Sequence, residues 1–328
     1  MKISTATKPI DFTEKLFQLF QKRKDVSIQE YPLEYKKGKY GFLKISSKDI
    51  TPTDPVLLIR AGIHGDETAG PITIEHYGNE ILDSAHEKGI KVILYPLGNP
   101  SGFALRLRYN IDNDKGFDND KGKEGVGNND FLRYELEDGS ITDDIKDGKI
   151  PFKRFLWASD PSLKSRFCLP LETELMHKLL KEDPLPQVKG SIDLHQDYLT
   201  PNASPAAYQY ALGNIEEYKP IIEEVSKICP VYKNQLMAAG FKTKIDEIGN
   251  VVEVPLESEM EAIDENGSIV RYDGSITDLF YRLGTPYNVA VETTGVTPLD
   301  IACKVNLLWI RGFIDLIKKH FISDKNVS

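Results

Sequence analysis

The chain is short of the residues that would mark several common protein classes. It has only three cysteines in 328 residues, Cys168, Cys229 and Cys303. The number is odd and the spacings are wide, so no disulfide framework is expected. No run of eighteen apolar residues occurs, which excludes a conventional transmembrane helix. Met1 to Pro9 lack the apolar centre of a secretory leader. Positive charge is scarce too: 41 Lys and Arg against 50 Asp and Glu leave a net charge of −9. Nucleic acid calls for the opposite, a basic stripe. The expectation is a cytoplasmic protein with no membrane or nucleic-acid partner. What is present is an apolar fraction of 40%, enough to fill one large α/β core.

Periodicity gives the layout. Asp11 to Lys24 places Phe12, Leu16, Phe17, Leu19 and Phe20 on a helical period. Val26 to Ile45 alternates around Lys37-Gly38-Lys39 and reads as a hairpin. Strands are expected at 56–62, 91–97, 188–194, 206–212 and 287–291. Helices are expected at 67–84, 171–182, 215–227 and 298–321, the last with Pro298 in its first turn. Strands and helices in alternation imply an α/β fold, a mostly parallel, mixed sheet covered by helices on both faces. Residues 1–50 are read as a helix and hairpin packed on a main domain of 51–328, with an irregular insertion at 111–170. Ile111 to Lys149 carries twelve acidic and six basic residues, two-thirds of the net charge. Asp-Asn-Asp-Lys-Gly occurs there twice, at 112–116 and 118–122. A calcium loop of the EF-hand type would put its glycine at position six, whereas each repeat puts it at five. A solvated insertion beside the site is the better reading.

The chemistry concentrates in Ala61-Gly62-Ile63-His64-Gly65-Asp66-Glu67-Thr68. The preceding Val56-Leu57-Leu58-Ile59 is a short, continuous apolar run of the kind buried on both faces of a sheet. His64 and Glu67 therefore stand at a strand's carboxyl end, where open α/β sheets collect their ligands. An imidazole and a carboxylate from one turn can converge on a Zn²⁺ ion, which needs a third protein ligand and an open position for catalysis. His195, ending the strand Ser191-Ile192-Asp193-Leu194, is the natural third. His76, His86, His177 and His320 lie in helical runs and read as solvated or partly packed residues.

Four motifs then occur in order: His64-Gly65-Asp66-Glu67; Asn99-Pro100-Ser101-Gly102 followed by Arg108; Asp193-Leu194-His195; and Glu292 within Val289-Ala290-Val291-Glu292-Thr293-Thr294-Gly295. Together they resemble the zinc carboxypeptidase family, which includes digestive carboxypeptidases and murein-peptide amidases. Succinylglutamate desuccinylase and aspartoacylase form a more distant branch. The resemblance implies a carboxypeptidase-like fold holding one Zn²⁺ per chain on His64, Glu67 and His195. It also implies Glu292 as general base and Arg108 as the group that stabilises the developing oxyanion. Arg106, two residues earlier, would face the opposite way if this segment were a strand. Gly274-Ser275-Ile276 is similar to the peptidase branch, in which Ile276 would line an apolar side-chain pocket. Tyr272 is the candidate for that branch's mobile tyrosine, against the plainer reading of a packed tyrosine.

The chain departs from the family where peptidases grip a substrate carboxylate with an asparagine-arginine pair. One alignment puts Asp120-Lys121 there, and lysine is a point charge where arginine is a fork. Another keeps Asn129 but has Asp130 in place of arginine, with Arg133 as a possible substitute grip. The expected activity is hydrolysis of a peptide or peptide-like amide, with a peptide or acyl-amino-acid substrate. The alternatives are an N-acyl amino-acid deacylase and a catalytically silent ligand-binding member.

Overall fold

A computed structural model of the chain describes residues 9–35, 38–111, 132–142, 151–157, 159–160, 162–163, 169–198, 203–238, 241–245, 251–255, 260–270, 272 and 275–322. The paired acidic repeats with their calcium reading, Asp120-Lys121, Asn129, Asp130 and Cys168 lie outside the described residues.

Helix α1 (Pro9–Phe20) precedes the hairpin β1 (Val26–Tyr35) and β2 (Gly38–Ser47). The register runs from Val26 opposite Ser47 to Tyr35 opposite Gly38. Gly38 and Lys39 thus belong to β2 and not to the expected turn. Next come β3 (Val56–Ala61), α2 (Ala69–Glu87), β4 (Lys91–Tyr95) and α3 (Pro100–Leu105). In the expected insertion, β5 (Leu132–Glu135), β6 (Ile141–Thr142) and β7 (Arg154–Trp157) form a small antiparallel sheet. The chain continues through α4 (Leu171–Glu182), β8 (Val188–Leu194), β9 (Ala207–Gly213) and α5 (Lys219–Ser226). Two short ribbons follow, β10 (Gln235–Ala238) with β13 (Met260–Ile263) and β11 (Phe241–Ile245) with β12 (Val251–Pro255). Last are β14 (Ser268–Ile269), α6 (Ile276–Arg282), β15 (Tyr287–Thr293) and α7 (Leu299–Phe321).

The main sheet has eight strands in the order β1-β2-β4-β3-β8-β15-β9-β14. Its four central strands, β4, β3, β8 and β15, run parallel, and antiparallel partners β2 and β9 flank them. Strand alternation divides the core in two. Leu57, Ile59 and Ala61 face α1, α2, α5 and α7, while Val56 and Leu58 face Met176, Leu179 and Leu180 of α4 and Leu279 of α6. Both faces are covered, as a parallel sheet requires. Among the described residues no helix is long and apolar enough to cross a membrane.

Two polar clusters tie this frame together. Lys44 reaches into the second core layer, where its Nζ lies 2.5 Å from Asp183 Oδ1, and Tyr95 donates its hydroxyl to Asp183 Oδ2 at 2.6 Å. Elsewhere Ser47, His86 and Asp25 lie in the order of a hydrolytic triad, with contacts of 2.7 and 2.8 Å. Ser47 is buried, and its oxygen accepts the Val92 N–H at 2.8 Å. The cluster is therefore a clip between β1, β2, β4 and α2 and not a presented nucleophile. His177 corrects a sequence expectation: it is buried in α4 with its ring stacked on Trp157, centroids 3.8 Å apart.

Candidate metal centre

The carboxyl ends of three adjacent parallel strands build the site. Strand β3 breaks at Gly62, whose φ of +63° favours glycine and where a Cβ would meet Pro71 at 2.7 Å and Leu97 at 2.8 Å. The turn that follows delivers His64 and Glu67 before α2 begins. His195 follows β8, held to β15 by its N–H to the Val291 carbonyl at 2.9 Å. Glu292 is on β15 itself.

His64, Glu67 and His195 are all buried, and each offers a ligand atom within 4.8 Å of the others. Both imidazoles turn Nδ1 toward the carboxylate: His64 Nδ1 lies 2.7 Å from Glu67 Oε1, and His195 Nδ1 lies 2.9 Å from Glu67 Oε2. The Gln196 N–H donates to Oε2 at 3.1 Å, and Arg108 Nη1 donates to Oε1 at 2.7 Å. Glu292 Oε1 is 4.0 Å from His195 Nδ1, and among the described residues its buried Oε2 has no hydrogen-bond partner.

Electrostatics follow from burial and these neighbours. Burial is the largest influence on Glu67 and opposes its charge, but His64 and His195 prevail and hold the carboxyl well below its usual range. Burial pushes His64 down to about 4, against the pull of Glu67. His195 is raised despite burial, because Asp193 and Glu67 both face it. Burial raises Glu292 well above the ordinary carboxylate range, and the Glu67 and Asp197 charges add to that shift.

Asn99 organises the arginine loop. It caps α3 by accepting the Gly102 N–H at 2.8 Å, accepts Asn110 Nδ2 at 3.0 Å, and donates Nδ2 to the Arg108 carbonyl at 3.1 Å. The same carbonyl accepts the Gly65 N–H at 3.0 Å. A Cβ on Gly65 would come within 2.4 Å of Gly102, Phe103 and Leu107 backbone atoms, so the His64–Glu67 turn and the arginine loop interlock at backbone contact. Arg106 is the left-handed C-cap of α3, with φ 56° and ψ 40°. A helix end, and not strand alternation, separates the two arginines. Asn99→Asp would set an oxygen against the Arg108 carbonyl and remove a buried bond, at about 1–3 kcal/mol. Trypsin is then expected to cut after Arg106 or Arg108 several-fold faster; cleavage at the wild-type rate would contradict this role.

Of the other expected site residues, Asn129 lies outside the described residues. Arg133 is on β5, opposite Leu156. The Tyr272 ring lies 5.5 Å from that of Tyr281 and 5.8 Å from the Arg282 guanidinium. Ile276 opens α6, is 3% exposed and belongs to the second core layer. Gln196 and Asn99 carry functions that sequence reasoning did not assign. Asn before Pro-x-Gly was a legible cap signal for Asn99, whereas Gln196, which donates its N–H to Glu67 and accepts the Ala69 N–H on Oε1 at 3.3 Å, left no local signal.

Comparison with solved structures identifies the fold. A candidate metallopeptidase from Shewanella baltica OS155 superimposes with a TM-score of 0.60 at 20% identity, covering 93% of this chain and 91% of that one. A second, from Shewanella denitrificans OS217, gives 0.58 at 17%, covering 93% and 89%. A metallo-carboxypeptidase from Burkholderia cenocepacia gives 0.51 at 10%, covering 94% and 69%. The chain has a carboxypeptidase-like fold. Residues 53–114, from the approach to β3 through the arginine loop, match the succinylglutamate desuccinylase/aspartoacylase catalytic domain. No curated protein matches the sequence. The carboxypeptidase-like fold and the family match bear out the resemblance read from the four motifs. With the His-Glu-His cluster they support a metallohydrolase in general terms.

Proposed function

We propose that this carboxypeptidase-like chain is a zinc-dependent hydrolase of a peptide or peptide-like amide bond. The observation that carries the reading is the convergence of His64 Nδ1, Glu67 and His195 Nδ1 beside a buried carboxylate, Glu292. Two imidazole nitrogens and one carboxylate form a donor set suited to a catalytic zinc site that keeps an open position. When bound there, zinc supplies Lewis-acid polarisation of the carbonyl and acidifies water.

The chain's residues do the rest. Glu292 takes the proton from the attacking water at a carboxylate oxygen and returns it to the leaving nitrogen. Burial raises this carboxyl's proton affinity, which favours its holding the proton between the two transfers. Arg108 turns its guanidinium into the site and stabilises the charge that grows on the carbonyl oxygen. Asn99 and Gly65 hold the arginine loop from behind.

A second reading is deacylation of an N-acyl amino acid. The match over 53–114 favours it, since that segment contains His64, Glu67 and Arg108. One experiment tests the class and separates the two. Protein purified without added metal is expected to hold about one zinc per chain after zinc is returned, and His64→Ala to lose it. The loaded protein is then offered peptides and N-acyl amino acids in parallel. Absence of tightly held zinc in the wild type would end the hydrolase reading.

A further inference from the structure

Arg60 is a charged residue in the middle of the sheet. It sits on β3, directly opposite Asp193 of β8, and is 1% exposed. Its strand neighbours on the same face, Val56 and Leu58, are aliphatic core residues, so packing alone asks for another aliphatic side chain. Burying a guanidinium is among the costliest placements available unless its nitrogens find acceptors. Among the described residues Nε and Nη1 have none. The contact that is made is Nη2 to Asp193 Oδ2, at 2.6 Å.

Asp193 is similarly committed. Its Oδ1 is buried without a hydrogen-bond partner among the described residues. The oxygen that Arg60 holds, Oδ2, lies 3.2 Å from His195 Nε2. The two ring nitrogens of His195 thus have separate tasks: Nε2 faces Asp193, and Nδ1 faces Glu67 at 2.9 Å. A carboxylate behind a metal-binding imidazole fixes the ring's rotation, and with it the direction of the other nitrogen. A carboxylate held at one oxygen by a buried arginine cannot swing away from that ring. The line from Arg60 through Asp193 to His195 crosses two adjacent strands, so the sheet's own register sets its length.

We propose that Arg60 is a positioning residue of the metal centre, acting through Asp193 to aim His195 Nδ1. The inference rests on the zinc reading above and adds to it a residue in the core of β3. Arg60→Met keeps the length and apolar stem but removes the donor. Arg60→Lys keeps the charge but falls short of the fork's reach. Zinc affinity of the full-length wild type and both variants, measured by chelator competition at one pH, is expected to fall about 10–100-fold in Arg60→Met. Arg60→Lys is expected to lie between that variant and the wild type. Near-ultraviolet circular dichroism of the metal-free proteins checks that each is folded; a purely structural arginine would lower the melting temperature and leave the affinity alone. Wild-type affinity in folded Arg60→Met overturns the proposal, and if that variant does not fold, wild-type affinity in Arg60→Lys overturns it. A wild type that binds zinc no better than His64→Ala removes the zinc reading and this inference together. Equal tight binding by wild type and variant removes this inference alone.

Discussion

Glu292→Gln is expected to bind zinc as the wild type does and to lose turnover by about 10²–10⁴-fold, the range for removal of a general base. Glutamine matches the shape of the carboxyl but cannot take up the proton. The side chain lies beside the ligand cluster, 4.0 Å from His195 Nδ1, and is not one of the three grouped donors. Metal content and rate should therefore separate. Zinc per chain and kcat, measured on one preparation with whichever amide the substrate screen identifies, provide the check. A rate within tenfold of wild type would remove Glu292 from the proton-transfer role. Loss of zinc along with the rate would make it a ligand.

Lys44→Ala should be the most damaging change far from the site. It would leave Asp183 buried with no opposing charge, a loss of about 3–5 kcal/mol readable as a lower urea midpoint. The effect has a defined pH sign. Burial already raises the Asp183 carboxyl, and Lys44 is the first group that opposes the rise. Without Lys44 the folded-state proton affinity rises further. Stability associated with the protonated form is present at low pH and is lost as pH rises above the unfolded-state value. The deficit should be large at pH 7 and shrink toward pH 4. Lys44→Met combined with Asp183→Leu should recover part of it, because no buried charge then remains unpaired, although the Tyr95 hydroxyl loses its acceptor. A deficit independent of pH would point to lost packing of the lysine stem instead.

Elements with strong periodicity are legible in the sequence alone. Helix 171–182 and strand 188–194 fall where the pattern put them, and the three ligand candidates meet because each follows a strand of the same parallel group. The short elements were not legible. Helix α3 has six residues and α6 seven, too few for a 3.6-residue period to stand out. The capping asparagine of α3 and the Ser275 cap of α6, which accepts the Asp278 N–H, were the local signals available. Arg60 was visible as a charge within an apolar run, but its partner is 133 positions away, and only strand register brings them together. His177 was misjudged because a helical address says nothing about which face the rest of the chain will cover.

The interlocked loop has a consequence for how this scaffold can be altered. Ile111 donates its N–H to Ser101 Oγ at 3.2 Å, and Gly65 meets the backbone of Gly102, Phe103 and Leu107 too closely to admit a side chain. Residues 61–70 and 97–111 are therefore one unit for grafting: either segment moved alone would meet a backbone not shaped to receive it.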